Sequence, residues 1–171
     1  MRLMPQREIK GPRAATEVAT GDLRQPSISV QQLWFQVHER AWSSLVLVPA
    51  DPGGSAAGVA ANLAKVGAML GDVAPRVLNS ERMDAAMIVD LIADLSSPRP
   101  SAASGDSGQR RTLISIDSVL FNPMGIGIAQ AADAVLLCVR TRRTKLAQAR
   151  RTVELIGSDR FIGSVILSAA R

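Results

Sequence analysis

The chain of 171 residues contains no tyrosine, a single cysteine and no long hydrophobic run. The missing tyrosine excludes phosphorylation of the chain's own tyrosines, and one cysteine cannot form an internal disulfide, which fits a reducing cytoplasm. Aromatic residues make up 3% of the sequence, too few for the stacking platforms that bind single-stranded nucleic acid. No apolar stretch approaches the roughly 18 residues of a membrane span. We therefore expect a cytoplasmic protein to which nucleic acid is an unlikely ligand.

Hydrophobic residues and positive charge are what the sequence does have. Hydrophobic residues make up 47% of the chain, which is enough for the core of one domain. Cys138 lies in an apolar run and is expected to be a buried, inert thiol. The net charge of +5 is compatible with an acidic protein, an anionic membrane or nucleic acid as partner, and alone it selects none of them.

The order of apolar segments predicts one α/β domain behind a flexible basic arm. Residues 1–26 mix proline, glycine and scattered charges without an apolar period, whereas 27–171 alternate short apolar runs with helical patterns. A polar linker is predicted at 96–111. The predicted strands are 44–49, 76–78, 112–116, 134–139 and 161–167, and the main helices are 27–40, 59–70, 83–95 and 144–156. This alternation predicts a doubly wound, mostly parallel sheet with flanking helices.

A glycine loop joins the first predicted strand of the domain to its helix. In such folds this loop binds phosphate, because free backbone N–H groups and the helix dipole both point at the anion. Here the loop reads Asp51-Pro52-Gly53-Gly54-Ser55-Ala56-Ala57, and a helix with Val59, Leu63, Val66 and Leu70 on one face follows it.

The segment 52–64 resembles the motif Pro-Gly-Glu-Gly-Lys-Ser-Thr-Val-Ala-Ala-Asn-Leu-Ala of the bacterial tyrosine kinases and their kin in capsule and exopolysaccharide export. Ile116-Asp117 and the segment 131–137 are similar to that family's Walker B strand and its next strand. The resemblance covers about 31–168, with the cell-division and chromosome-partitioning ATPases as more distant relatives. It implies a P-loop NTPase-like fold.

The chain departs from this family at the positions that carry the chemistry. Ala56 stands at the Walker lysine and Ala57 at the magnesium-binding hydroxyl, so the charge that neutralises the β- and γ-phosphates and the hydroxyl that helps hold magnesium are both missing. We expect a vestigial nucleotide loop without catalytic residues, metal ligands or a cofactor. That loop comprises Pro52, Gly53, Gly54, Ser55, Ala56 and Ala57.

Three acidic residues are candidates for the family's remaining carboxylates. Asp117 is the possible Walker B acid, which would either hold a metal-bound water or cap the following loop. The aspartate that the family carries after its second strand is missing, and Glu81 or Asp84 is a candidate substitute for it.

A run of cations follows the strand 134–139. A solvated helix face is the simplest interpretation, and a binding site for an acidic protein, for membrane lipid or for nucleic acid is the alternative. His38 is expected at the surface of the first helix, and Trp34 and Trp42 are expected to pack that helix on the sheet. The possible partner-binding patch comprises Arg140, Arg142, Arg143, Lys145, Arg150 and Arg151.

The resemblance implies a non-catalytic adaptor or regulator of exopolysaccharide or capsule biosynthesis and export. Its partner would be an inner-membrane chain-length or co-polymerase protein, through which it would be peripheral at the membrane, and it could also form a homo-oligomer. Two alternatives stay open at this point. One is a weak ATP-binding ATPase or kinase-like protein that uses ATP and Mg²⁺ with an atypical Walker A loop. The other is a partitioning-type DNA-associated protein.

Overall fold

The structure is a computed structural model that describes residues 27–70, 74–97 and 111–168, together with the backbone of residues 16–19. The rest of the predicted arm and residues 98–110 of the predicted linker lie outside the described residues. The strands are β1 (Thr16–Ala19), β2 (Ser44–Pro49), β3 (Arg76–Asn79), β4 (Thr112–Ser115), β5 (Ala134–Arg140) and β6 (Phe161–Ser168). The α-helices are α1 (Ile28–His38), α2 (Ala57–Met69), α3 (Ala85–Ser96), α4 (Met124–Ala131) and α5 (Leu146–Ile156).

The sheet confirms the predicted fold class and adds a strand to it. Its order is β1-β6-β5-β2-β4-β3, and every neighbouring pair is parallel. The sequence predicted five of these strands. The sixth, β1, lies inside the segment predicted to be a flexible arm, so that prediction is wrong for residues 16–19. These residues form the edge of the sheet and pair with β6, whose backbone supplies their hydrogen-bond partners.

Strand β2 lies in the middle of the sheet and contributes to a core on each face. Leu45 and Leu47 pack with α1 and α2, whereas Val46 and Val48 pack with α3, α4 and α5. Because side chains alternate along a strand, a strand buried on both faces reads as the unbroken apolar run that the sequence shows at 44–49.

Side-chain hydrogen bonds place the starts of two helices later than the sequence predicts. Helix α3 was predicted from residue 83 but begins at Ala85, because the Asp84 carboxylate accepts a hydrogen bond from the Met87 amide at 2.8 Å. Helix α5 was predicted from residue 144 but begins at Leu146. Thr144 instead contributes its side chain to the loop after β2.

The two tryptophans pack as predicted. Trp34 and Trp42 are both buried, and their rings meet edge to face with centroids 6.2 Å apart. His38 is not simply at the surface, since it is half-buried and its Nδ1 lies 2.5 Å from Nη1 of Arg111. In the described ranges 27–70, 74–97 and 111–168, no helix is long and apolar enough to cross a membrane.

Candidate functional site

The glycine loop after β2 closes into a tight turn. The Gly54 amide donates to the Asp51 carbonyl at 3.1 Å, with Pro52 and Gly53 at the two central positions. Gly53 has φ +76°, the conformation that a type II turn requires at its third residue. Gly54 is buried, and a Cβ there would lie 2.8 Å from Cβ of Pro49. Both glycines are therefore needed to fold the chain back on the end of β2.

Asp51 is brought against Arg140 by the register of the sheet. Pro49 pairs with Cys138 across β2 and β5, and Asp51 and Arg140 each lie two residues beyond that pair. Both side chains therefore leave neighbouring strands in the same direction at the carboxyl edge of the sheet.

The Asp51 carboxylate is buried and fully engaged. It accepts two hydrogen bonds from Nε of Arg140, at 3.1 and 3.3 Å, and is ion-paired with Nη2 of the same side chain. The Thr144 hydroxyl donates to Asp51 at 2.7 Å and accepts from the Arg140 amide at 2.8 Å. The glycine loop thus begins with an anion, Asp51, which is held by the Arg140 guanidinium and the Thr144 hydroxyl.

The ionised form of Asp51 is favoured despite its burial. Burial alone raises the pKa of this carboxyl, but the Arg140 and Thr144 hydrogen bonds and the Arg140 charge together hold the pKa below its ordinary value of 3.8. The same contacts raise the pKa of Arg140, against the opposing effect of its partial burial. Both groups are charged at neutral pH, so the pair is a true ion pair.

Position 56, where the motif resemblance places the Walker lysine, is buried in the core. Ala56 is fully buried and belongs to the apolar cluster under α1 and α2. Ala57 begins α2 and is half-buried. A lysine at position 56 would have to leave that cluster to reach a phosphate.

Ser55 links the loop to the end of β3. Its hydroxyl lies 3.3 Å from Oε1 of Glu81, to which it donates, and it accepts from the Ala57 amide at 3.3 Å. Of the two candidate acids after β3, Glu81 therefore reaches the loop, whereas Asp84 caps α3. Glu81 is exposed.

Asp117 lies at the same edge of the sheet but outside this network. Asn79 pairs with Ser115, so Glu81 and Asp117 are each two residues beyond the ends of neighbouring strands. Asp117 is half-buried, and within the described part of the chain its side chain has no hydrogen bond or ion pair. Among the same residues no group of three or more His, Cys, Asp or Glu side chains is placed to hold a metal ion.

The six cations of the predicted patch differ in their exposure and in their partners. Arg140 is half-buried against Asp51 and faces the loop. Arg151 is exposed and pairs with Glu154 at 3.2 Å. The remaining four are exposed, with Arg142 in a left-handed conformation at φ +63° within the β5–α5 turn. They are Arg142, Arg143, Lys145 and Arg150.

An open pocket of about 430 Å³ separates the loop from the ends of β5 and β6. Gly53 and Ser55 line it on one side, and Arg140, Thr141 and Arg143 on the other. This pocket brings part of the vestigial loop and part of the basic patch together.

Sequence reasoning missed Asp51 and Thr144 as members of this site. The motif comparison treats position 51 as variable, and Thr144 was assigned to a helix. The available signal was a charged residue at the end of a fully buried strand, where an isolated carboxylate is costly unless paired. Locating its partner requires the β2–β5 register.

Comparison with known proteins gives matches among solved structures. The chimerical protein CapA2B2 has a TM-score of 0.64 at 12% identity, covering 91% of this chain and 94% of its own. The BceF tyrosine kinase domain has a TM-score of 0.51 at 16% identity, covering 82% of this chain and 76% of its own. The chain shares their fold. No family model matches the sequence, and no curated protein matches it.

In a fold of this kind, the carboxyl edge of the sheet is where a ligand site is expected. Open α/β sheets bind ligands beside the carboxyl ends of their strands, and the loop after β2 occupies that position here. In this chain an aspartate–arginine pair and a buried alanine stand there.

Proposed function

We propose that this chain is a non-catalytic adaptor or regulator in capsule or exopolysaccharide synthesis and export, which acts by binding an inner-membrane chain-length protein. The pathway is suggested by the motif resemblance and by the fold shared with the BceF tyrosine kinase domain. The printed sequence lacks the tyrosines that such a kinase would phosphorylate in itself.

One observation carries the non-catalytic half of the proposal. The Asp51 carboxylate lies at the start of the glycine loop and is held there by Arg140 and Thr144. Arg140, the cation nearest to it, is already paired with that carboxylate. Phosphoryl transfer depends on positive groups placed around the transferred phosphate, and this loop supplies none in the lysine position.

The adaptor half is tested by binding that does not depend on nucleotide. The purified chain is mixed with the cytosolic segment of the chain-length membrane protein from the same organism, with and without ATP and Mg²⁺. We expect the complex to form equally in both cases. We also expect no transfer of radiolabelled phosphate from ATP to either protein.

The variant Asp51→Asn tests whether the charge of the loop matters for the partner, because asparagine has nearly the same size as aspartate but no charge. The proposal predicts the same partner affinity for the variant. A complex that forms only with ATP, or phosphate transferred by the wild-type chain, would support the alternative of a kinase-like protein with an atypical loop.

A further inference from the structure

The turns that precede α4 and α5 carry exposed apolar side chains next to exposed cations. Phe121 is 78% exposed and Leu146 is 68% exposed, although both are large and apolar. Exposed apolar groups among cations are a feature of protein surfaces that contact other molecules. We name this surface the α4–α5 rim, which comprises Phe121, Met124, Arg142, Arg143, Lys145 and Leu146.

The topology places these residues on one side of one edge. Helices α4 and α5 lie on the same face of the sheet, pack against each other and both begin at the carboxyl edge. Packed helices lie about 8–10 Å apart, so the first turns of α4 and α5 are neighbours. The rim is thus one continuous surface.

The cations of the rim outnumber the acids of their own segment. Between residues 118 and 154 the sequence contains six cations and two acids, Asp133 and Glu154, and Glu154 pairs with Arg151, which lies outside the rim. Asp133 lies at the opposite edge, where it accepts hydrogen bonds from the Ser43 and Ser44 amides.

The other acids of the carboxyl edge do not cancel the charge of the rim. Asp51 is neutralised by Arg140, and the single charge of Asp117 is outnumbered by the three exposed cations of the rim, Arg142, Arg143 and Lys145. Glu81 and Asp84 belong to the β3–α3 end of the edge, which limits the positive surface to the α4 and α5 turns.

We propose that the α4–α5 rim binds directly to an anionic lipid surface. Cations attract the negative headgroups, while Phe121 and Leu146 enter the boundary between headgroups and acyl chains. The exposed cations beside the exposed Phe121 and Leu146 match the charged headgroup layer and the apolar layer beneath it. This inference goes beyond the proposed function and does not depend on it.

Vesicle sedimentation tests the rim with the full chain. We expect binding to vesicles that contain one quarter phosphatidylglycerol in phosphatidylcholine, weakening with added salt, and no binding to phosphatidylcholine alone. The triple variant Arg142→Asn, Arg143→Gln, Lys145→Gln should bind about 100-fold more weakly, since each cation near an anionic surface contributes about fivefold. The double variant Phe121→Ser, Leu146→Ser should bind at least about tenfold more weakly.

Matched controls separate the rim from net charge and general hydrophobicity. Arg40→Gln, Lys65→Gln and Arg76→Gln remove the same charge from exposed positions outside the rim, and Ile28→Ser with Phe35→Ser removes exposed apolar groups from α1. Their binding should stay within about twofold of wild type, because surface charges beyond a Debye length are screened.

Three results would overturn the proposal. The first is no binding to phosphatidylglycerol vesicles at low salt. The second is an equal loss of binding in the rim and control variants. The third is binding to polyglutamate as tight as to vesicles and unaffected by Phe121→Ser and Leu146→Ser, which would assign the rim to an acidic protein. Vesicle binding involves no partner protein or nucleotide, so its failure is distinct from failure of the adaptor proposal.

Discussion

At the scale of single residues, Asp51 anchors the loop after β2. Its carboxylate is buried, paired with Arg140 and bonded to Thr144, so three segments of the chain meet at one side chain. A loop of the same backbone with a neutral residue there would leave the Arg140 guanidinium without its anion. The ion pair therefore anchors the loop, and it engages Arg140, the cation nearest to the loop.

Replacing Asp51 should destabilise the fold. Asp51→Ala removes hydrogen bonds to a charged, half-buried partner, and we expect a loss of about 1–3 kcal/mol in the free energy of unfolding, measured by urea denaturation. Glu154→Gln breaks the exposed pair with Arg151 and is the matched control, expected to change stability by less than about 1 kcal/mol. Equal effects of the two variants would contradict the buried pair.

The same residue predicts a dependence of stability on pH. Because the folded state lowers the pKa of Asp51, the stabilisation it provides is complete above the ordinary value of 3.8 and is lost as pH falls through that value toward the folded pKa. The difference in melting temperature between wild type and Asp51→Asn should therefore shrink between pH 5 and pH 3. A difference that stays constant over that range would contradict the ion pair.

Cys138 should be chemically silent in the folded protein. Burial raises the pKa of its thiol to about 12, so almost no thiolate is present at neutral pH and reagents cannot reach it. We expect no labelling by iodoacetamide under native conditions and full labelling in guanidinium. Rapid labelling of the native chain would show that β5 opens readily or is not buried.

At the scale of elements, helices α1 and α2 pack closely at Gly67, which has no side chain. A Cβ on Gly67 would lie 2.7 Å from Cη2 of Trp34 and 3.0 Å from Cγ of Pro75. The absence of that atom lets the indole ring lie directly on α2.

Two glycines of α2 should respond oppositely to alanine. Gly67→Ala is expected to cost about 1–3 kcal/mol, because the new methyl group overpacks against Trp34. Gly58→Ala places its methyl group in open space and should stabilise the chain by up to about 1 kcal/mol. Urea denaturation of both variants checks this, and two effects of the same sign would contradict the described packing of α1 on α2.

The elements that the sequence predicted are those with a strong apolar period. Strand β2 and helix α2 follow directly from the run at 44–49 and the spacing of Val59, Leu63 and Val66. Strand β1 could not be predicted in the same way, because four residues at a sheet edge depend on pairing with β6 rather than on their own pattern. The start of α5 was missed because Thr144 is used by Asp51 instead of by the helix.

At the scale of the whole molecule, the fold and the site differ in how far the sequence predicts them. The parallel sheet can be predicted from apolar runs that alternate with helical patterns, because the apolar composition of each run indicates that the run is a buried strand. The Asp51–Arg140 pair depends on strand order and register, which bring together residues 89 positions apart. The assignment of the loop to a vestigial nucleotide site stays a prediction, and Asp51, which anchors the loop, stands at a position that the motif leaves free.

The central proposal is that this loop does not bind nucleotide, because Arg140 is already paired with Asp51 and a buried alanine stands where the resemblance places the Walker lysine. Isothermal calorimetry of the purified chain with ATP and ADP, each with and without Mg²⁺, tests it most directly. The proposal predicts no heat of binding even at millimolar nucleotide. Magnesium-dependent binding of ATP at micromolar affinity would contradict it.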